Sequence, residues 1–230
     1  MITLTNKGWK GSSSGKWNKK DNIAKDKNKG VLLDSKTRAR SVAGDDEIIG
    51  FQKKRKIGVD IVDELLMGAD KDLLKGKSIN NSGGIGISNE GLIDMGISND
   101  EIIGIGRRDG IFNDGTIDMD DGNDLVDASR GGFAGNGRIF LGKGRDTIKG
   151  YGEQKVDGGA GRDKLLLDEG FYNISIDPNP FDDTLFLAKG GQSPMQLDNI
   201  EEVGSILSGD TVDLTIGTLK IGQNGVAQYI

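Results

Sequence analysis

The chain has 230 residues, 34% of them hydrophobic, and holds neither cysteine nor histidine, which excludes disulfide staples, cysteine nucleophiles, imidazole bases and the usual zinc sites. Charge is split along the chain, with 18 Lys and Arg against 11 Asp and Glu in residues 1–80, then 12 against 25 in residues 81–230. Thirty-eight glycines and only 5% aromatic residues leave too few large side chains for a layered globule, but enough for a solenoid whose coils each bury a thin stripe.

Residues 1–41 read as a basic, largely irregular arm. The opening "MITLTNKGWKGSSSGKWNKKDNIAKDKNKG" has no apolar core of a secretory signal peptide. No stretch of the chain approaches the roughly 18 consecutive apolar residues of a membrane span. Polar, weakly apolar segments seldom fold alone, so the arm is expected to be solvated or ordered by docking. Trp9 and Trp17, the only tryptophans, are expected anchors onto the body or a partner. The lysines suit a protein partner or a polyanionic surface, with no signal for specific nucleic-acid binding.

From residue 42 to about 170 the chain repeats, degenerately before about 83. "DEIIG" occurs at 46–50 and again at 100–104. Aligning Asp46, Asp72, Asp100, Asp124, Asp146 and Asp163 places Ile48, Leu74, Ile102, Val126, Ile148 and Leu165 two positions on, apolar every time. Four positions on lie Gly50, Gly76, Gly104, Ala128, Gly150 and Leu167. Interior glycines at that frequency, each costing about 1 kcal/mol against alanine, exclude helix. The pattern is a glycine turn, an aspartate and a short apolar strand, hence an all-β stack of coils. "GGAGRDK", at 158–164, is no phosphate-binding loop, because it lacks the G-K-[ST] core and is followed by strand-like sequence.

The turns have the form G-G-x-G-x-D-x-U-x. "GGAGRDKLL" at 158–166 fills it, "LGKGRDTIK" at 141–149 lacks the first glycine, and "DDGNDLVD" at 120–127 is a partial copy. This resembles the nonapeptide repeats of hemolysin-type (RTX-like) calcium-binding proteins, in a variant common among cyanobacterial members. The resemblance covers roughly residues 42–207. It implies a right-handed parallel β-roll or β-solenoid with Ca2+ between turns, held by aspartate carboxylates and turn carbonyls. Carried onto this chain, one ion would take Gly142, Gly144 and Asp146 with Gly159, Gly161 and Asp163. A second would take Gly122, Asn123 and Asp124 with the Gly142 turn. Arg145 and Arg162 stand where the family has Asn or Asp, and a guanidinium there opposes a cation. Arginine paired with carboxylates of adjacent coils could take the ion's place, so a metal-free solenoid stays open beside the calcium-binding one.

Residues 171–230 read as a C-terminal β segment that caps the solenoid, with a hairpin about Gly217. Repeated aspartates are more often structural than catalytic, so no enzyme is expected. Two functions remain. One is an exported calcium-binding β-roll, extracellular or at the cell surface by a signal-peptide-independent route. The other is a structural or assembly solenoid (surface layer, filament, adhesin or virion component), docked through the arm and open to homo-assembly.

Overall fold

The computed structural model describes residues 44–54, 56–179 and 183–230 in full, and Ile2–Thr5, Gly8–Lys10, Ile23–Asp26, Val31–Leu33 and Arg38–Arg40 as backbone strands. Among the described residues every regular element is a strand. The chain winds as a β-solenoid, visiting three sheets in turn. Sheet 1, of nine strands, includes Glu47–Gln52, Leu73–Ser78, Glu101–Ile105, Leu125–Arg130, Thr147–Lys149, Lys164–Leu167 and Glu202–Ser205. Sheet 2, of seven, includes Ile57–Ile61, Ile85–Asn89, Asp109–Asn113 and Phe133–Ala134. Sheet 3, of eleven, includes Glu64–Leu66, Leu92–Asp94, Thr116–Asp118, Arg138–Phe140 and Lys155–Asp157. Within the coils all neighbours are parallel.

The apolar position two beyond each aspartate builds the core. Ile48, Leu74, Ile102, Val126, Ile148, Leu165 and Val203 are register partners down sheet 1, and each is fully buried. Burying one such side chain contributes about 1.5–3 kcal/mol, which pins the register, since a one-residue slip would turn the whole column to solvent. Met67, Met95, Met119 and Leu141, all fully buried, line sheet 3 in the same way. The glycines two positions further along sheet 1 have a packing cause. A methyl group on Gly76 or Gly104 would strike the carbonyl of Gly86 or Gly110 on sheet 2, so the two backbones meet there without side chains between them.

Interior polar groups also form a column. Asn89 donates from Nδ2 to Asn113 Oδ1 at 2.8 Å, and Asn113 donates to Gln154 Oε1 at 3.0 Å. Gln154 Nε2 in turn donates to the carbonyls of Ala134 and Gly135. All three side chains are buried, and such amides persist inside a protein because their hydrogen bonds are made.

The sequence expectations meet three changes. Residues 44–82, weakest in the repeat, are full coils that pair residue for residue with the next one, from Glu47 with Leu73 to Gln52 with Ser78. The described part of the N-terminal arm is strand: Ile23–Asp26, Val31–Leu33 and Arg38–Arg40 pair in parallel with sheets 1, 2 and 3, adding a coil before residue 42. Trp17 lies outside the described residues. Gly217 opens a strand, and the hairpin turns instead at Gly222–Gly225, where Gly222 N donates to Val226 O. Asn224 followed by Gly225, at φ +79°, supplies the turn chemistry that Gly217 does not.

The aspartate-to-aspartate steps are 26, 28, 24, 22 and 17 residues, so the coils shorten after the second. The residues lost come from sheet 2, which dwindles to Phe133–Ala134 and a single bridge at Gly152. The antiparallel strands Gly170–Ile176, Leu185–Ala188 and Gly217–Ile221 then continue sheet 3. Val212, Leu214, Ala227 and Tyr229 pack against the end of the core, so the predicted cap is present.

Candidate functional site

The nine residues assigned to calcium come together at the corner that leads into sheet 1. Gly122, Gly144 and Gly161 are stacked register partners in a small three-stranded sheet made by Asp121–Gly122, Lys143–Gly144 and Ala160–Gly161. Gly159 stacks on Gly142, whose carbonyl a methyl at Gly159 would strike. Asn123 bridges coils: its N–H donates to Asn99 Oδ1 at 2.7 Å, and its Oδ1 accepts the N–H of Arg145 at 2.8 Å.

The aspartates form a continuous ladder. In each coil the aspartate N–H donates to Oδ1 of the aspartate one coil on: Asp46 to Asp72, Asp72 to Asp100, Asp100 to Asp124, Asp124 to Asp146, and Asp146 to Asp163, all at 2.7–2.8 Å. Glu201 ends it, accepting from Asp163 N–H at 2.7 Å. The six aspartates are 0–2% exposed, and Glu201 is half-buried. Oδ2 of Asp72, Asp100, Asp124, Asp146 and Asp163 is buried with no hydrogen-bond partner. Burial is the chief cause that pushes Asp72 and Asp124 up to about 8, Asp100 to about 7 and Asp146 to about 6, and it raises Asp163 as well. The backbone N–H bonds pull the other way and are outweighed.

Sequence alignment had found this column but assigned ligand roles only to its last three members. Asp72 and Asp100 share their geometry, Asn99 keeps the family's commoner residue and here accepts from Asn123, and Glu201 falls outside the aligned units. Glu201 was findable: "EEVG" pairs with sheet 1 as "DEIIG" does, with Val203 beside Leu165. Glutamate there reaches one methylene further across a longer connection.

The corner can be tested against calcium, which takes six to eight oxygens. The Gly142 carbonyl accepts Ala160 N–H at 2.8 Å and the Gly144 carbonyl accepts Arg162 N–H at 3.3 Å. Oδ1 of Asp124, Asp146 and Asp163 is engaged, which leaves their Oδ2 unpaired and sealed from solvent. Among the described residues no three carboxylates converge on one point. A carbonyl oxygen has two lone pairs, so the Gly142 and Gly144 carbonyls could keep these bonds and still face an ion; the carboxylate oxygens left unused are Oδ2 of Asp124, Asp146 and Asp163.

Arg162 answers the charge question raised by the sequence. It pairs with Glu202 and with Asp213 at 2.8 Å, and Glu202 also accepts from the Thr211 hydroxyl. Lys143 pairs with Asp121 at 3.0 Å on the same corner. Arg162 thus ties the last coil to the cap. Because the pair is half exposed, it adds little to stability, and Arg162→Ala is expected to show as a small fall in urea midpoint with faster exchange of the amides in 202–213.

No protein-family model matches the chain, and no curated protein matches it. No helix among the described residues is long and apolar enough to cross a membrane.

Proposed function

We propose that this chain is a non-enzymatic structural β-solenoid, a spacer or docking module of an extracellular assembly such as a surface layer, filament, adhesin or virion. The observation that carries this reading is the aspartate ladder. Five successive coils spend their aligned carboxylate on the backbone of the coil before, so the repeated acid serves coil stacking. Neither the Asn89–Asn113–Gln154 column nor the ladder leaves a unique acid–base pair of the kind hydrolysis uses. The test is circular dichroism of the full chain after exhaustive chelation. A strand-rich spectrum that calcium leaves unchanged is expected; a disordered chain in chelator would overturn the reading.

A second reading, the exported calcium-binding β-roll of the RTX-like resemblance, is favoured by the unpaired Oδ2 atoms at Asp124, Asp146 and Asp163. On that reading the same titration shows a gain of strand signal with calcium, absent with magnesium and reversed by chelator.

A further inference from the structure

At another corner the charge reverses. Where the coil from Asp46 turns from sheet 1 to sheet 2, Lys53, Lys54 and Lys56 are all exposed. Two coils on, the same turn carries exposed Arg107 and Arg108, and the next coil brings exposed Arg130, the register partner of Ile105. Backbone bonds stack these turns: Ile79 N–H donates to Gln52 O, Arg108 N–H to Gly84 O, and Gly106 N–H to Arg130 O. The intervening turn, 79–84, carries no charge, and its coil contributes Lys77 instead, paired with Ile105. The described turns of these four coils hold no acid, and Asp109, which opens the strand after Arg108, is buried and bonded to Arg108 Nε at 2.7 Å. A chain of net charge −6 therefore concentrates exposed cations along one straight edge.

We propose that this edge is a binding ridge for an extended acidic polysaccharide, a polyuronate bearing one carboxylate on each sugar. Lys53, Lys54 and Lys56 stand two coils from Arg107 and Arg108, and these stand one coil from Arg130, with coils at the strand spacing of about 4.8 Å, a step close to that of successive sugars in an extended chain. Single-stranded nucleic acid is the poorer fit because it needs rings on which bases stack. Phe51 is the ring beside the ridge, and Lys53 and Lys77 already lie over it at 5.9 and 5.6 Å. A duplex presents its phosphates on curved strands, which a straight edge meets at few points. A membrane surface calls for inserted apolar side chains, and Ile79, 38% exposed, is the large one in these turns.

The experiment measures binding of the full chain to polygalacturonate at about 50 and about 200 mM NaCl, since charge-driven binding falls with salt. Lys54→Gln/Arg107→Gln/Arg130→Gln is expected to weaken binding by about tenfold or more, with an unchanged dichroism spectrum, and Arg107→Gln alone by a smaller factor. Lys16→Gln/Lys19→Gln/Lys20→Gln, in the arm, is expected to bind within about twofold of the parent. The proposal is overturned if the parent does not bind polygalacturonate at low salt, if the ridge variants bind as the parent does, or if the arm variant alone abolishes binding. Tighter binding of duplex DNA or of phosphatidylserine vesicles than of polygalacturonate, at equal salt, overturns it equally.

Discussion

The melting temperature in chelator is expected to fall as pH rises from about 5 to about 9, and Asp124→Asn is expected to flatten that fall. Unfolded aspartates titrate near 3.9, whereas burial moves Asp72 and Asp124 to about 8, Asp100 to about 7 and Asp146 to about 6. Between those values the folded chain holds more protons than the unfolded one, so stability decreases with pH. The contribution is whole below about pH 4 and is lost as pH climbs through 6 to 8. One unit corresponds to about 1.4 kcal/mol, and several coupled groups make the total on the order of several kcal/mol. Asparagine at 124 keeps an oxygen to accept the Asp100 N–H and removes a charge lying between Asp100 and Asp146. At about pH 9 it should stabilise by about 1–3 kcal/mol, some 2–4 °C per kcal/mol in a chain of this length; at about pH 5 the change should be small. A parent whose melting point does not move with pH would mean that the ladder is not buried as described.

Gly144→Ala is expected to unfold the C-terminal coils. The new methyl would run into the Gly122 carbonyl, and Gly144 holds a φ of +152° that L residues rarely adopt. The stacked turns must separate, breaking the pairing of Gly122 with Gly144 and of Gly144 with Gly161. A cost of about 3 kcal/mol or more in urea unfolding is expected, from strain together with broken hydrogen bonds. Gly190→Ala is the control. Gly190 has a φ of +54° with nothing within 4 Å of an added methyl, so only the backbone penalty of about 1–2 kcal/mol applies. Equal losses for the two variants would show that close stacking is not what the turn glycines provide.

Much of this fold was legible because a single period runs through it. The aspartate column and the apolar residue two beyond could be aligned by eye, and each aligned apolar residue became core. Other parts were hidden for physical reasons. The coils of 44–82 carry scattered turn glycines, Gly44 and Gly68, in place of the full nonapeptide, but keep the Asp46 and Asp72 register, which backbone pairing reads and a nonapeptide pattern does not. Sheets 2 and 3 left only a trace in the sequence, because their connections vary between 17- and 28-residue coils. At the candidate site the aspartate column was legible, and its hydrogen-bond partners were not foreseeable. A turn carbonyl bonded to the next strand and one aimed at an ion have the same glycine in the sequence. The basic ridge was missed altogether, since Lys53, Arg107 and Arg130 lie far apart in the chain and only the winding stacks them.

The most direct test of the account is amide hydrogen exchange, resolved by residue, on the metal-free protein in chelator near pH 6. The N–H groups of Asp72, Asp100, Asp124 and Asp146 should be among the slowest to exchange, each held by the carboxylate of the following coil. If those four amides exchange freely in chelator and gain protection only when calcium is added, the ladder is not what holds the coils together.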